Sequence, residues 1–192
     1  MPNPTRDLDA DLLRTGLVGL DLGDVLEVGC GSGKNTSWLV KHGQVVGFDI
    51  SSNMLALCHA AAPEAELFLA DLRLAWPVPD RSMDTIVVDL VLEHVGDLAH
   101  VARESARVLR KGGRVRVSEL HPWRQHEGKR ARFEDAGVLV EPPAFVHTTE
   151  EYVSAFLGTG FALDSLCEPH SPGDAAERPP RLLVMEFSLP GS

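Results

Sequence analysis

Apolar and polar positions change their period several times along this chain, and each change marks an element. Over Leu8 to Leu20 the apolar residues fall at helical spacing, and the turn residues Asp21 to Asp24 separate that amphipathic helix from the apolar run Val25 to Val28. After a glycine-rich stretch, a helix is expected from Asn35 to Lys41, closed by Gly43. Val45 to Phe48 reads as a second strand ending on Asp49. Ser51 or Ser52 can cap the next helix, whose Met54, Leu55, Leu57, Cys58 and Ala61 are expected to face inward until Pro63 stops it. Leu67 to Leu69 reads as a third strand. Pro77 and Pro79 then force an extended loop before a fourth, Thr85 to Val88. Asp97 to Arg110 is helical, with Leu98, Val101, Ala102, Ala106, Val108 and Leu109 on its apolar side; Gly112 and Gly113 end it, and Arg114 to Ser118 makes a fifth strand.

Short strands alternating with helices imply parallel pairing through right-handed crossovers, and so an α/β fold with a doubly wound sheet covered by helices on both faces. Ligands in such sheets sit at the carboxyl ends of the strands. Late in the chain the order changes. A helix from Thr149 to Leu157 is followed by two strands, Phe161 to Leu166 and Leu182 to Phe187, with no helix between them, and these can pair as an antiparallel hairpin.

A length of 192 residues with 44% hydrophobic content suits one well-buried core, and residues 1–192 are expected to form a single domain. Neither a signal peptide nor a membrane-spanning run is expected, which makes the cytoplasm the default compartment. Three widely spaced cysteines argue against a disulfide framework or a cysteine-based metal site, and Cys58 and Cys167 are expected to be small core residues. A formal charge of −10 repels phosphate backbones, so a nucleic-acid partner is not expected.

Candidate chemistry begins with Glu27-Val28-Gly29-Cys30-Gly31-Ser32-Gly33, where a buried strand runs into a glycine turn and then a helix. Glycines let the backbone approach a ligand closely, and the helix N-terminus directs free N–H groups at the same spot. The dinucleotide fingerprint needs a glycine at the sixth place from Gly29, where Lys34 stands. Asp49 lies 20 residues after Gly29, where a carboxylate can accept hydrogen bonds from ribose hydroxyls.

The pattern Glu-x-Gly-x-Gly-x-Gly at 27–33, the run from Leu74 to Val95 with its Trp76-Pro77-Val78-Pro79-Asp80 and Leu92-Glu93-His94-Val95 segments, and the block Ala106 to Val115 together resemble the class I S-adenosylmethionine-dependent methyltransferases, in the small-molecule (methyltransferase type 11 or ubiquinone-menaquinone methyltransferase-like) branch. Lys111 replaces a usual proline in the last block. The resemblance covers about residues 24–120 and implies a Rossmann-like sheet of seven strands, the last antiparallel. It also implies S-adenosyl-L-methionine as cofactor. Carried over residue by residue, it puts Glu27, Gly29, Cys30, Gly31 and Gly33 at the glycine turn, Asp49 on the ribose with Ile50 and Met54 beside it, and Asp71 on the adenine amino group with Leu72 at the ring. Asp89, Leu90 and His94 would lie along the methionine end.

Absences narrow the reaction. Asp89-Leu90-Val91-Leu92 lacks the box used on nucleobase amines, there is no Pro-Cys nucleophile, and no carboxylate cluster or histidine pair suits a metal, so none is expected. Residues 121–150 are expected to form a cap over the substrate, with Val138 to Val146 as its lid and Trp123, Phe133 and Phe145 as apolar walls. From His121 to Arg132 four basic residues face one acid, which suggests a small anionic acceptor clamped by Arg124 or Arg132 with His147 nearby. Where a proton must be removed, His121 is the first candidate base, followed by His94 and His147, because an imidazole can take a proton near neutrality. A homodimer is left open. The two competing readings are a catalytically silent cofactor-binding module of the same fold and a nucleotide-dependent oxidoreductase. Lys34 and the lack of a Tyr-x-x-x-Lys pair disfavour the second.

Overall fold

The computed structural model describes residues 3–126, 133–135, 138–140, 144–175 and 178–191. Its first element, α1 (Pro4–Leu17), starts earlier than periodicity suggests, because Pro4 stands in the first turn and the Asn3 side chain accepts from the N–H groups of Thr5 and Arg6. It is followed by β1 (Asp24–Val28), α2 (Thr36–Leu39), β2 (Gln44–Asp49), α3 (Ser52–Ala61), β3 (Glu66–Leu69) and β4 (Met83–Asp89). A 3-10 turn at Leu92–His94 leads to α4 (Leu98–Val108) and β5 (Leu109–Leu120). Then come α5 (Pro122–His126), β6 (Phe133–Asp135), β7 (Val138–Val140), α6 (Thr149–Leu157), β8 (Ala162–Cys167) and β9 (Leu182–Ser188).

Seven strands form one sheet in the order β3-β2-β1-β4-β5-β9-β8, while β6 and β7 make a separate hairpin. The pairs from β3 through β5 are parallel and those of β9 with β5 and β8 are antiparallel. The expected doubly wound sheet with its closing antiparallel hairpin is therefore the observed one. Strand order reverses between β1 and β4, which opens a crevice at their carboxyl ends.

Strand alternation divides the core into two layers. Leu26 and Val28 of β1, Ile86 and Val88 of β4, and Val115 and Val117 of β5 face α4 and α6, where Phe156 stacks on Phe187 at 4.5 Å. Val25 and Val87 face the other way, against Leu13 and Leu17 of α1 and Leu39 of α2. Because Arg116 lies between Val115 and Val117, the same alternation sends its side chain toward α1. Among the described residues no helix is long and apolar enough to cross a membrane.

Two expectations about burial are corrected. In α3 only Cys58 is buried, and Leu57 is exposed, because the helix flanks the sheet edge formed by β2 and β3 and one of its sides borders an open cavity. Cys167 is exposed because β8 is the last strand of the sheet and every one of its residues is accessible. The short α2 replaces the longer helix expected from Asn35 to Lys41.

Gly33 and Gly112 both have φ 82°, yet their surroundings differ. A Cβ on Gly33 would stand 2.9 Å from the Cα of Cys58, whereas one on Gly112 would meet nothing within 4 Å. Both alanine variants carry the left-handed strain of about 1–3 kcal/mol. Gly33→Ala adds a backbone clash between the glycine loop and α3 and is expected to lose clearly more unfolding free energy than Gly112→Ala in urea titrations. Equal losses would contradict the packing described for Gly33.

Candidate functional site

At the end of β1 the chain turns through Gly29 and Gly31, with φ 71° and 52°. The N–H groups of Gly29 and Cys30 both donate to the Phe48 carbonyl, at 2.9 and 3.1 Å, so the turn is anchored on β2. A Cβ at Gly29 would lie 2.7 Å from the Val91 side chain, while one at Gly31 would meet open space. Asp49 closes β2 and grips the turn: its Oδ2 accepts from the Gly31 N–H and its Oδ1 from the Ser51 N–H, both at 2.9 Å. Each oxygen keeps a lone pair for a ligand.

Two cavities flank this turn and share Gly29. The larger, 470 Å³, is lined by Asp49, Ile50 and Met54 on one side, Asp71, Leu72 and Arg73 on another, and Val91, His94 and Phe145 at its far end. The smaller, 90 Å³, is lined by Glu27, Gly29, Cys30 and Gly31 together with Arg6 and Asp9 of α1, Lys34, Asn35, Asp89 and Leu90. Of the residues expected at the cofactor, Gly33 alone lines neither; its place is against Cys58.

The floor of the smaller cavity is a buried charge cluster. Arg116, 2% exposed, donates to Asp89 at 2.6 Å and lies 3.6 Å from Asp9. Asn35 bridges the two acids, donating to Asp89 at 3.2 Å and Asp9 at 3.3 Å. Burial pushes the Asp89 carboxyl well above the usual range, against the pull of Arg116. Burial likewise raises Glu27 to about 8, although the Thr36 hydroxyl donates to it at 2.5 Å. Among the described residues, Asp9 Oδ1 and Arg116 Nη2 have no hydrogen-bond partner.

At the end of β4, Leu90 takes φ 55°, a left-handed conformation that is costly for a residue with a Cβ. Three bonds hold it: its own N–H donates to the Ser118 carbonyl at 2.7 Å, and the N–H groups of Val91 and Leu92 donate to Glu119 Oε1 at 2.9 and 2.7 Å. Glu119 thus fixes the wall of the larger cavity. The sequence signal for it and for Arg116 was a pair of charges inside an otherwise apolar strand, which periodicity discounts as edge residues. Arg6 was missed because it precedes the expected start of its helix.

The remaining expected site residues are distributed unevenly. Asp71 borders the larger cavity, but its carboxylate is held by the Arg73 guanidinium at 2.9, 3.1 and 2.6 Å, and that hydrogen bonding keeps its acidity high. His121 lines neither cavity; its Nδ1 accepts from the Trp123 N–H at 3.3 Å and its Nε2 faces Glu168 at 3.1 Å, so both ring nitrogens are occupied. Arg124 is buried away from both cavities and donates to Asp174 at 2.7 Å and to the Pro179 and Pro180 carbonyls at 2.8 and 3.0 Å, stapling α5 to the loop before β9. His147 bonds the Val95 carbonyl at 2.6 Å. Trp123 is 66% exposed and lines neither cavity, whereas Phe145 does line the larger one. Arg132 lies outside the described residues, as do residues 141–143 of the expected lid, and the side chains of Phe133 and of residues 138–140 are not described. No group of residues able to hold a metal occurs among the described residues.

These features fit S-adenosyl-L-methionine. Open space stands over Gly31 where a side chain would intrude, a carboxylate closes β2, and unpartnered charged atoms lie beneath the smaller cavity.

Residues 26–117 match the family described as methyltransferase domain. A probable S-adenosylmethionine-dependent methyltransferase of Mycobacterium tuberculosis (strain CDC 1551 / Oshkosh) is 38% identical over 96 residues, covering 50% of this chain and 35% of the relative. The trans-aconitate 2-methyltransferase of Azoarcus sp. (strain BH72) is also 38% identical over 96 residues, covering 48% of this chain and 37% of that protein. The chain thus spans little more than a third of these relatives' length. Among solved structures, an S-adenosylmethionine-dependent methyltransferase from Mesorhizobium loti superposes with a TM-score of 0.77 at 22% identity, covering 93% of this chain and 97% of the other.

The buried acids give the site a pH signature. Between the ordinary value of 4.5 and about 8, the folded chain keeps a proton on Glu27 that the unfolded chain has released, so rising pH favours unfolding. The melting temperature of the ligand-free protein is expected to fall from about pH 5 to about pH 8, and Glu27→Gln to make that decline shallower. An identical slope in the variant would contradict the raised Glu27.

Proposed function

We propose that the chain is a class I S-adenosylmethionine-dependent methyltransferase of the small-molecule branch, and that it transfers a methyl group from S-adenosylmethionine to an oxygen, nitrogen or sulfur atom of a small molecule; the methyltransferase-domain match over residues 26–117 and the 38% identity to the Mycobacterium tuberculosis relative support this reading. The observation that carries this reading is the pair of cavities meeting at Gly29, one walled by Asp49 and Asp71 and the other by Glu27, Asp89 and Arg6.

Each wall suits one part of the cofactor. Asp49 accepts from the ribose hydroxyls with the lone pairs left by Gly31 and Ser51. Ile50, Met54 and Leu72 flank the adenine, and Asp71 takes its amino group. Gly29, Cys30 and Gly31 present backbone alone, and Arg6 is placed for the amino-acid carboxylate above Glu27, Asp89 and Leu90. Gly33 serves the same turn by letting it pack on Cys58.

The cofactor, when bound, supplies an electrophilic methyl group together with its leaving group. What remains for the chain is to orient the acceptor, exclude water and remove a proton where the acceptor carries one. His94, which lines the larger cavity at the end of β4, is the base we assign. His121 has both nitrogens engaged and lies outside the cavity.

An anionic acceptor is favoured by the basic run 124–132 and by the name of the Azoarcus relative, whose substrate is a carboxylic acid. Arg124 is buried away from both cavities and bound to Asp174 and two proline carbonyls, however, so that form of the reading retains only Arg132, which lies outside the described residues. Of the described cations at the cavities, Lys34 is paired with Asp7, Arg73 with Asp71, and Arg6 faces the cofactor end. Residues 121–150 would cover the acceptor.

Calorimetry with S-adenosylhomocysteine tests the cofactor site. Wild-type protein is expected to bind it, and Asp49→Ala to weaken binding about 10–100-fold, as for the loss of charged hydrogen bonds. Unchanged affinity in the variant would overturn the assignment. Labelled S-adenosylmethionine incubated with a metabolite pool then separates an enzyme from a silent binding module: transfer to an acid, amine or thiol supports the enzyme, and none favours the module.

A further inference from the structure

Behind the far wall of the larger cavity lies a second polar group that the cofactor does not use. Glu93, in the 3-10 turn, and Glu119, at the end of β5, are 6% and 1% exposed. One oxygen of each is engaged, since Glu119 Oε1 accepts the Val91 and Leu92 N–H groups and Glu93 Oε1 lies 3.7 Å from the His94 ring. The other oxygens, Glu93 Oε2 and Glu119 Oε2, have no hydrogen-bond partner within bonding distance among the described residues, and the buried Gln125 amide next to Glu93 joins the same cluster. The Tyr152 hydroxyl, fully buried on α6, has none either. Leu92, whose N–H Glu119 holds, adjoins Glu93, and the Tyr152 ring meets His147 edge-on at 5.5 Å where His147 bonds the Val95 carbonyl, two residues beyond Glu93. Burial raises all three groups, and the carboxylates raise the Tyr152 phenol further.

This cluster adjoins the reacting end of the cavity. Val91 packs on Gly29, His94 lines the cavity beside Glu93, and the N–H of Phe145, whose ring also lines it, donates to the Glu93 carbonyl at 2.7 Å. Resting on the methyltransferase reading above, we propose that Glu93, Glu119 and Tyr152 form the acceptor pocket and select a small molecule bearing an ammonium group.

Three physical arguments lead there. If Glu119 served only to accept two N–H groups, a glutamine carbonyl would do so without burying a charge. Two acids placed together away from water are costly unless a cation or donor completes them, and their removal is then neutral or stabilising. Finally, an ammonium carries three donors and no acceptor, which matches two unpartnered carboxylate oxygens and one hydroxyl. A carboxylate would meet the same acidic oxygens and would find no described lysine or arginine beside them.

The test uses the full chain with S-adenosylhomocysteine bound, and two small probes that carry the same ethyl group and opposite charge, ethylammonium chloride and sodium propionate, at matched ionic strength. Ethylammonium at several times its dissociation constant is expected to raise the melting temperature by about 2–4 °C, and propionate to leave it unchanged. Glu93→Gln and Glu119→Gln should lose the ethylammonium response while their probe-free melting temperatures stay level or rise. Tyr152→Phe, which keeps the ring packing, should reduce the response and serves if a glutamine variant misfolds by circular dichroism. Stabilisation by propionate, no response to ethylammonium, or a response that persists in both glutamine variants would each overturn the proposal. Failure to bind S-adenosylhomocysteine in the first place would overturn the methyltransferase reading and this one with it. Binding of that molecule without an ethylammonium response sinks only the acceptor proposal.

Discussion

The charge on Arg116 is the constraint around which the cofactor end of the sheet is assembled. It sits on β5, is cut off from water, and reaches Asp89 at the end of β4 and Asp9 on α1. A guanidinium in that position is tolerable only if acids come to it, and each acid brings its own element. Asn35, between the two acids, then ties the glycine turn into the same cluster. Helix α1, both central strands and the turn after β1 are therefore positioned by one buried cation, and the smaller cavity is the space left above it.

The second constraint is the pair of turns at the ends of β1 and β4. Asp49 holds the first through the Gly31 N–H, and Glu119 holds the second, strained at Leu90, through two N–H groups. In both places a carboxylate from a neighbouring strand satisfies backbone donors that no other strand can reach. Val91 against Gly29 joins the two turns, so the surfaces that would face the cofactor move as one unit.

Much of this was legible in the sequence, for definite physical reasons. Strand and helix periods in the first 120 residues gave the parallel half of the sheet, and the absence of a helix between the last two strands gave the antiparallel hairpin. The place of Asp49 beside the glycine turn was legible because the apolar run before it ends β2 at that residue. Residues whose meaning depends on a partner far away in sequence were not legible. Arg124 looked like a free anion clamp, but Asp174 and two proline carbonyls consume its donors. His121 follows β5 as a base should, yet Glu168 and the Trp123 N–H occupy its ring. Burial in α3 was overestimated because an apolar stripe does not reveal that the helix lies at a sheet edge beside an open cavity. Arg116 and Glu119 went unnoticed because a lone charge in a strand gives no sign of whether its counter-charge is water or protein.

Helix α1 bounds the smaller cavity and is also held to the turn beneath it by two contacts of different kinds. It overhangs the glycine turn and is latched to it twice, once through Asn35 and Asp9 and once through the exposed pair Lys34 and Asp7. The inner latch is part-buried, whereas the outer one is a surface ion pair that dissolved salt weakens. The hold of α1 on the glycine turn is thus expected to slacken as ionic strength rises, while the inner latch persists.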